Sequence, residues 1–303
     1  MVDLTSPARE RGGARPGTRA EISEFLRSRR ARLKPADVGL PDFGRYRRVP
    51  GLRREELAQL AGVSVAYYTR LEQGDGRNVS TEVLDAVSRA LQLSDVERTH
   101  LRHLVRPGAR RQRGGAGQQQ VRASVRTLLD AMDGVPALVI GRRSDLLAWN
   151  RAAAALLGDW SDLPQRQRNW ARLVFLRPEY RELFVDWEQK AADTVSQLRM
   201  DAGAHPDDPA LAALVGELSV KSEEFRRLWA THDVKGRCDG PQRLRHPLVG
   251  ELDLRVDSFR TEGHDQSLLT YHAEPGSASA EALRLLASWG ADATRAGAGA
   301  ARQ

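Results

Sequence analysis

The chain has 303 residues, of which 41% are apolar, with 47 Lys and Arg against 40 Asp and Glu and a single cysteine, Cys238. That length predicts two domains, and the apolar content excludes global disorder. One cysteine excludes an intrachain disulfide, and no uncharged run is long enough for a membrane-spanning helix.

The net charge of +7 is uneven: residues 1–120 carry 23 basic side chains against 14 acidic, and the remainder 24 against 26. The excess therefore sits on the first part of the chain, as expected where a polyanion is the partner. Met1–Ala20 lacks the apolar core of a signal peptide, so a cytoplasmic protein without membrane contact is expected.

Residues 1–18 read as a disordered basic tail. Arg19–Leu33 is a predicted helix, with Ile22, Phe25, Leu26 and Leu33 on one side and Arg27, Arg29, Arg30 and Arg32 on the other. Lys34-Pro35 ends it. The connection over residues 35–50 is long for a compact domain. Arg45, Arg47 and Arg48 flank Tyr46 there, and a DNA-backbone contact and a solvated loop are both open.

Leu52–Gly74 reads as two short helices around a tight turn. Arg53–Ala61 carries Leu57, Leu60 and Ala61 at i, i+3, i+4, and Gly62 suits the left-handed residue that follows a helix. Ser64 is a natural N-cap for Val65–Gln73, which carries Tyr68 and Leu71 toward the core. Ala58 is small enough for a close helix crossing, and Val63 plugs the space between the helices.

The runs Glu56-Leu57-Ala58, Gly62-Val63-Ser64 and Arg70-Leu71-Glu72-Gln73-Gly74 carry a likeness: the stretch resembles the helix-turn-helix of the phage-repressor-like (Xre) regulators. The resemblance implies that the second helix enters the major groove of double-stranded DNA with its N-terminal residues toward the bases. The outward positions Val65, Ala66, Thr69 and Arg70 are then the candidates for base contact. Of these Arg70 has the strongest hydrogen-bonding code. Candidates for phosphate contact are Arg54, Ser64, Tyr67, Arg77 and Asn78, with Arg47 and Arg48 from the basic connection.

Ser80 or Thr81 caps a fourth helix, Glu82–Leu91, and Ser94-Asp95-Val96-Glu97 is a capping box for a fifth that runs to Val105. His100 and His103 on it read as surface residues, since further metal ligands are lacking nearby. Residues 19–106 thus form a five-helix DNA-binding domain. The composition of residues 107–120 predicts a flexible linker.

The second part, residues 121–290, opens with a helix over Val121–Met132 whose Val125, Leu128, Leu129 and Met132 face inward. Pro136–Ile140 and Leu146–Trp149 form a hairpin, and Asn150 caps Arg151–Leu157. Asp162–Arg168 is irregular, and Asn169–Phe175 is a short helix. Pro178 begins a long helix to Ala202, with Tyr180, Phe184, Trp187, Ala191, Val195 and Leu198 as its stripe. Asp208-Pro209 opens the next helix, to Leu218. Ser222 caps another that buries Phe225, Leu228 and Trp229. The period then changes to two: Gln242–His246, Gly250–Phe259 and Ser267–His272 are strands. Ser279 caps a closing helix, Ala280–Trp289, and residues 291–303 are a disordered tail.

This order predicts an α+β chain: an all-α repressor-like domain, then a PAS-like domain with a five-stranded antiparallel sheet and several helices. Pro50-Gly-Leu-Arg-Arg-Glu-Glu56, Tyr67-Tyr-Thr-Arg-Leu-Glu-Gln-Gly74, His205-Pro-Asp-Asp208, Glu224-Phe-Arg-Arg-Leu-Trp229, His246-Pro-Leu-Val-Gly250 and Tyr271-His-Ala-Glu-Pro-Gly276 strengthen the likeness. They make the chain similar to the MmyB-like family of actinobacterial Xre-type regulators over residues 20–290. The resemblance implies a C-terminal domain that holds a lipophilic effector such as a fatty acid.

An acyl pocket needs apolar walls and a few polar groups at its mouth. Trp149, Leu173, Phe175, Phe184, Trp187, Phe225, Trp229 and Tyr271 could supply walls, or simply pack a core. Arg172, His232 and His246 could meet a carboxylate, although both histidines read better as satisfied core residues. No catalytic constellation, metal site or cofactor motif is present. The expected function is a homodimeric, ligand-responsive transcription regulator. A C-terminal interaction or dimerisation module without ligand is the alternative, and an enzyme tethered to DNA the more remote one.

Overall fold

A computed structural model describes residues 16–40, 51–76, 79–106, 119–234, 239–261 and 265–288. The chain divides into two compact units, Met1–Ala109 and Arg110–Gln303. Most of the predicted tails and linker, Arg45, Arg47, Arg48, Arg77, Asn78 and Cys238 lie outside the described residues.

The described residues of the first unit are helical: α1 (Pro16–Arg32), a 3-10 turn (Pro35–Val38), α2 (Arg54–Ala61), α3 (Val65–Glu72), α4 (Thr81–Ala90) and α5 (Asp95–Val105). Serines open three of these helices. Ser64, Ser80 and Ser94 accept the N–H groups of Tyr67, Val83 and Glu97 at 3.1, 3.3 and 3.3 Å, satisfying donors that the first turn leaves unpaired. Gly62 ends α2 at φ 65° and needs no Cβ there. Ile22, Phe25, Leu26, Leu57, Ala58, Tyr68, Leu71, Leu84, Val87, Leu101 and Leu104 make the core.

Several expectations change here. Helix α1 begins at Pro16, inside the stretch assigned to the tail. Leu60 is 37% exposed and leaves the core stripe to Leu57, Ala58 and Ala61. The basic side of α1 is divided: Arg29 is buried on Glu97 at 2.7 Å, and Arg30 turns inward to α3. His100 is a core residue, edge-on to Phe25 with ring centroids 5.1 Å apart, because α5 buries His100, Leu101 and Leu104 as one stripe.

The second unit contains α6 (Ala123–Ala131), β1 (Ala137–Ile140), a 3-10 turn (Arg142–Ser144), β2 (Leu146–Trp149), α7 (Arg151–Leu157) and α8 (Trp170–Leu176). There follow α9 (Pro178–Leu183), α10 (Trp187–Ala204), α11 (Pro209–Lys221), α12 (Glu223–Ala230), β3 (Gly240–His246), β4 (Gly250–Thr261) and β5 (Gln266–His272). A last helix, α13, spans residues 278–288. The strands form one antiparallel sheet in the order β2-β1-β5-β4-β3, the PAS-like arrangement expected from the sequence.

Alternation along the strands separates two faces. Leu252, Leu254 and Val256 of β4 join Leu138, Leu244 and Tyr271 in the main core. Ala137, Val139 and Ala148 face the opposite way, against Leu129 of α6. A register shift opposite Val139 and Ile140 places Leu147 out of pair, so Leu146 and Ala148 serve different faces. Asn150 accepts from Ala153 and Ala137 and donates to Val135 and Met132, which joins the start of α7 to the start of β1. Leu128, expected inward, is 49% exposed. Gln119 and Gln120, assigned to the linker, bond to Arg142 N–H and Gln266.

The predicted helix from Pro178 to Ala202 is two helices. Phe184 is extended between them and bridges Leu244 of edge strand β3, Val185 N–H donates to Arg243 O at 3.1 Å, and Asp186 pairs with the Arg243 side chain at 2.8 Å. The strand edge supplies partners that a continuous helix would have left unmet. At the other edge, Leu146 N–H donates to Arg168 O. Ser279 is not the cap of α13: Ser277 Oγ accepts Ala280 N–H, while Ser279 Oγ accepts Asp253 N–H at 2.9 Å.

Candidate nucleic-acid interface and ligand-binding core

Helix α3 presents one face outward. Val65 is 41% exposed, Ala66 and Arg70 are exposed, and Thr69 and Tyr67 are half-buried. Tyr68, Leu71 and Glu72 occupy the opposite, buried face. The Arg70 guanidinium lies 5.8 Å from the Tyr67 ring centroid, within cation–π range, so the arginine is steadied at the rim of the helix. Ser64 is exposed and its hydroxyl serves the cap.

Glu72 organises the helix from behind. At 1% exposure it receives Arg30 Nη2 at 2.7 Å and Arg54 Nε at 2.9 Å, and Arg30 Nη1 donates to Leu52 O at 2.6 Å. Arg54, a candidate phosphate contact, thus commits one nitrogen to the fold while its side chain stays 44% exposed. The sequence reading missed the role of Glu72. Its signal was a carboxylate at the i+4 position of a buried stripe begun by Tyr68. Past the helix, Gly74 has φ 85°, and a Cβ there would collide with the Arg19 backbone. Arg106 holds the following turn through Val79 O and Thr81 Oγ1 at 2.8 and 3.1 Å.

In the second unit the nominated aromatic residues divide between two adjoining clusters. Leu173, Phe184, Trp187 and Tyr271 are buried in the main core, with Trp149 at its margin. Phe225 and Trp229 belong to the second cluster, with Leu198, Leu211, Leu214 and Leu218. Phe175 joins them, edge-on to Trp187 at 6.0 Å and to Phe225 at 5.1 Å. Trp160, Trp170 and Tyr180 were not nominated, yet they continue the edge-on series from Trp149 to Phe184. Their polar tips are met inside the protein. Trp160 Nε1 donates to Tyr180 Oη at 2.6 Å, which donates to Leu157 O, and Trp187 Nε1 donates to Val174 O. Burial pushes the Tyr180 hydroxyl up to about 12.

The three basic groups nominated for a carboxylate already have partners. Arg172 places Nε and Nη2 on Glu217 Oε2 at 2.9 and 2.7 Å; with Lys221 it holds that carboxyl below its ordinary range. His246 is buried, with Nε2 3.0 Å from Ala155 O and Nδ1 accepting Leu248 N–H at 3.2 Å, and burial lowers its pKa. His232, at φ 53°, lies 2.9 Å from Arg199 Nη1, and the buried Arg199 stacks 4.2 Å from the Trp229 centroid.

Two polar features were not anticipated. Lys190 is buried beneath Trp170 and Phe184. Asp201 accepts Arg143 N–H at 3.1 Å and Gln197 Nε2 at 3.2 Å. Part of the residue reaches the surface, but its carboxylate is enclosed, which pushes its pKa up to about 7. Among the described residues no group of three or more His, Cys, Asp or Glu could hold a metal ion, and no helix is long and apolar enough to cross a membrane.

Comparison with known families agrees with both halves. Residues 21–101 match a helix-turn-helix domain family. Residues 121–286 match the MmyB-like transcription regulator ligand binding domain. No curated protein matches the chain. With an exposed helix-turn-helix face, a PAS-like sheet domain and more than half of its length in the second family, the chain belongs to the MmyB-like transcription regulators, pairing a DNA-binding domain with a ligand-binding one.

Proposed function

We propose that this protein binds a near-palindromic operator as a homodimer, through a helix-turn-helix of the Xre type. In this reading a lipophilic small molecule of the fatty-acid class, held by the sheet domain, sets operator occupancy. The outward face of α3 carries the DNA half. Arg70 reads a base edge, Val65 and Ala66 allow close approach, and Thr69 lines the same groove. Ser64, Tyr67 and Arg54 meet phosphates, joined by Arg47, Arg48, Arg77 and Asn78. With one strong base-reading side chain, most of the affinity comes from the DNA backbone and falls steeply with salt. The aromatic series from Trp149 to Phe184 supports an apolar ligand, since apolar and aromatic side chains line such sites.

Native mass spectrometry of the purified full chain tests the ligand half. A co-purifying lipid of defined mass is the expected result. Bare protein, with no thermal shift from a fatty-acid panel, sinks it. That outcome favours the second reading, a C-terminal interaction or dimerisation module. The observation behind the second reading is that the polar tips of Trp160, Tyr180 and Trp187 are already satisfied within the chain, as in a filled core.

A further inference from the structure

Lys190 lies in the first turn of α10 and is 3% exposed. Its ammonium ends between two aromatic rings, 5.2 Å from the centroid of Trp170 and 5.1 Å from that of Phe184. It donates one hydrogen bond, to Gln242 Oε1 at 3.1 Å. No carboxylate among the described residues pairs with it. This separates it from Arg172 on Glu217 and Arg143 on Asp145 and Asp208 in the same unit.

An ammonium has three N–H donors, and a buried cation is costly unless a counter-ion and hydrogen bonds compensate it. Ring faces attract the charge without balancing it. A methionine would fill much the same space with no charge to desolvate. Packing alone therefore gives no reason for a lysine at this position. Its hydrogen-bond partner Gln242 is half-buried on β3, an edge strand whose margin is covered by residues 184–186.

We propose that Lys190 is the residue that receives the negatively charged head of the effector, which is accordingly an anionic amphiphile with a single-charge head such as a carboxylate. This rests on the lipid-sensor reading above. One negative charge balances the ammonium, and the head accepts the two N–H donors that Gln242 leaves. Trp170 and Phe184 contact the first carbons of the apolar chain.

The test is a fluorescence titration of the full chain with cis-parinaric acid and with its methyl ester, which share a chain and differ in charge. The wild type binds the acid about 10- to 100-fold more tightly than the ester. Lys190→Met binds both with the ester affinity of the wild type, and Lys190→Arg keeps the preference. Retained preference in Lys190→Met overturns the assignment. So does equal binding of acid and ester by the wild type, which needs no variant and decides the matter even if Lys190→Met fails to fold. Ester binding without an acid preference leaves the lipid-sensor reading standing while this inference falls. If neither probe binds the wild type, both fall.

Discussion

Arg30 and Glu72 are 42 residues apart in sequence and 2.7 Å apart in the fold. Through Arg30, Arg54 and the Leu52 carbonyl, one buried carboxylate ties α1, α2 and the end of α3 together. The orientation of α3, the candidate DNA-reading helix, thus depends on a buried charge. Glu72→Ala leaves the largely buried Arg30 without its counter-ion, and should cost about 3 kcal/mol of stability in the first unit. Urea denaturation of the full chain checks this; a loss below about 0.5 kcal/mol would show that the tie contributes little.

Arg70 projects from the exposed face of α3, with its guanidinium 5.8 Å from the Tyr67 ring centroid. Arg70→Ala should leave stability nearly unchanged and lose about 1–3 kcal/mol of discrimination between operator and random DNA. Competition shift assays at fixed salt measure it. Equal weakening on both DNAs would make Arg70 a phosphate contact.

Tyr180 is a relay between a buried indole and a buried carbonyl. Tyr180→Phe preserves the ring and strands Trp160 Nε1 and Leu157 O, so about 1–3 kcal/mol should be lost from the sheet domain. Trp160→Phe in the same background should then cost less than it does alone, because the donor it removes is already unsatisfied. Additive losses in that double-mutant cycle would contradict the relay.

Asp201 gives the sheet domain a pH dependence of unusual sign. An acid whose folded pKa is raised, here from 3.8 to about 7, binds its proton more tightly folded than unfolded. Its contribution is fully present below about pH 4 and is lost as pH rises toward 7. His205 and His246 act oppositely: burial lowers both, so their contribution is present above the ordinary histidine value and is lost on acidification. Asp201→Asn should therefore raise the melting temperature near pH 8 and have little effect near pH 4. The difference between variant and wild-type melting curves isolates this carboxyl from the histidines. A difference independent of pH would rule out its titration in the folded state.

Local features were the most legible in the sequence. Ser64, Gly62, Tyr68 and Leu71 act within a turn or two of themselves, and the helix-turn-helix could be read from them. The strands followed from their period of two, and the five-stranded PAS-like sheet from the succession of hairpin, helices and meander. What escaped depended on distant partners. The spacing of Tyr180, Phe184 and Trp187 suits one helix, and Phe184 still reaches the core in its extended form, so periodicity could not reveal the break that β3 imposes. The buried ion pairs of Glu72 and Arg29 could not be read locally because their partners come from other helices. The burial of Lys190 gave no local signal, since Gln242, which meets it, is 52 positions away. The candidate DNA face was therefore read more fully than the candidate ligand core.

The short contacts along the sheet margins bear on assembly. On β3 the stretch Phe184–Asp186 occupies main-chain positions that a neighbouring molecule would use, and on β2 the Arg168 carbonyl and the Asp145–Asn169 bridge do the same. Two copies of this protein are thus discouraged from extending one sheet into the other, a common route to runaway aggregation. The broad faces and the helices of this domain, rather than its strand edges, are left as surfaces for any association.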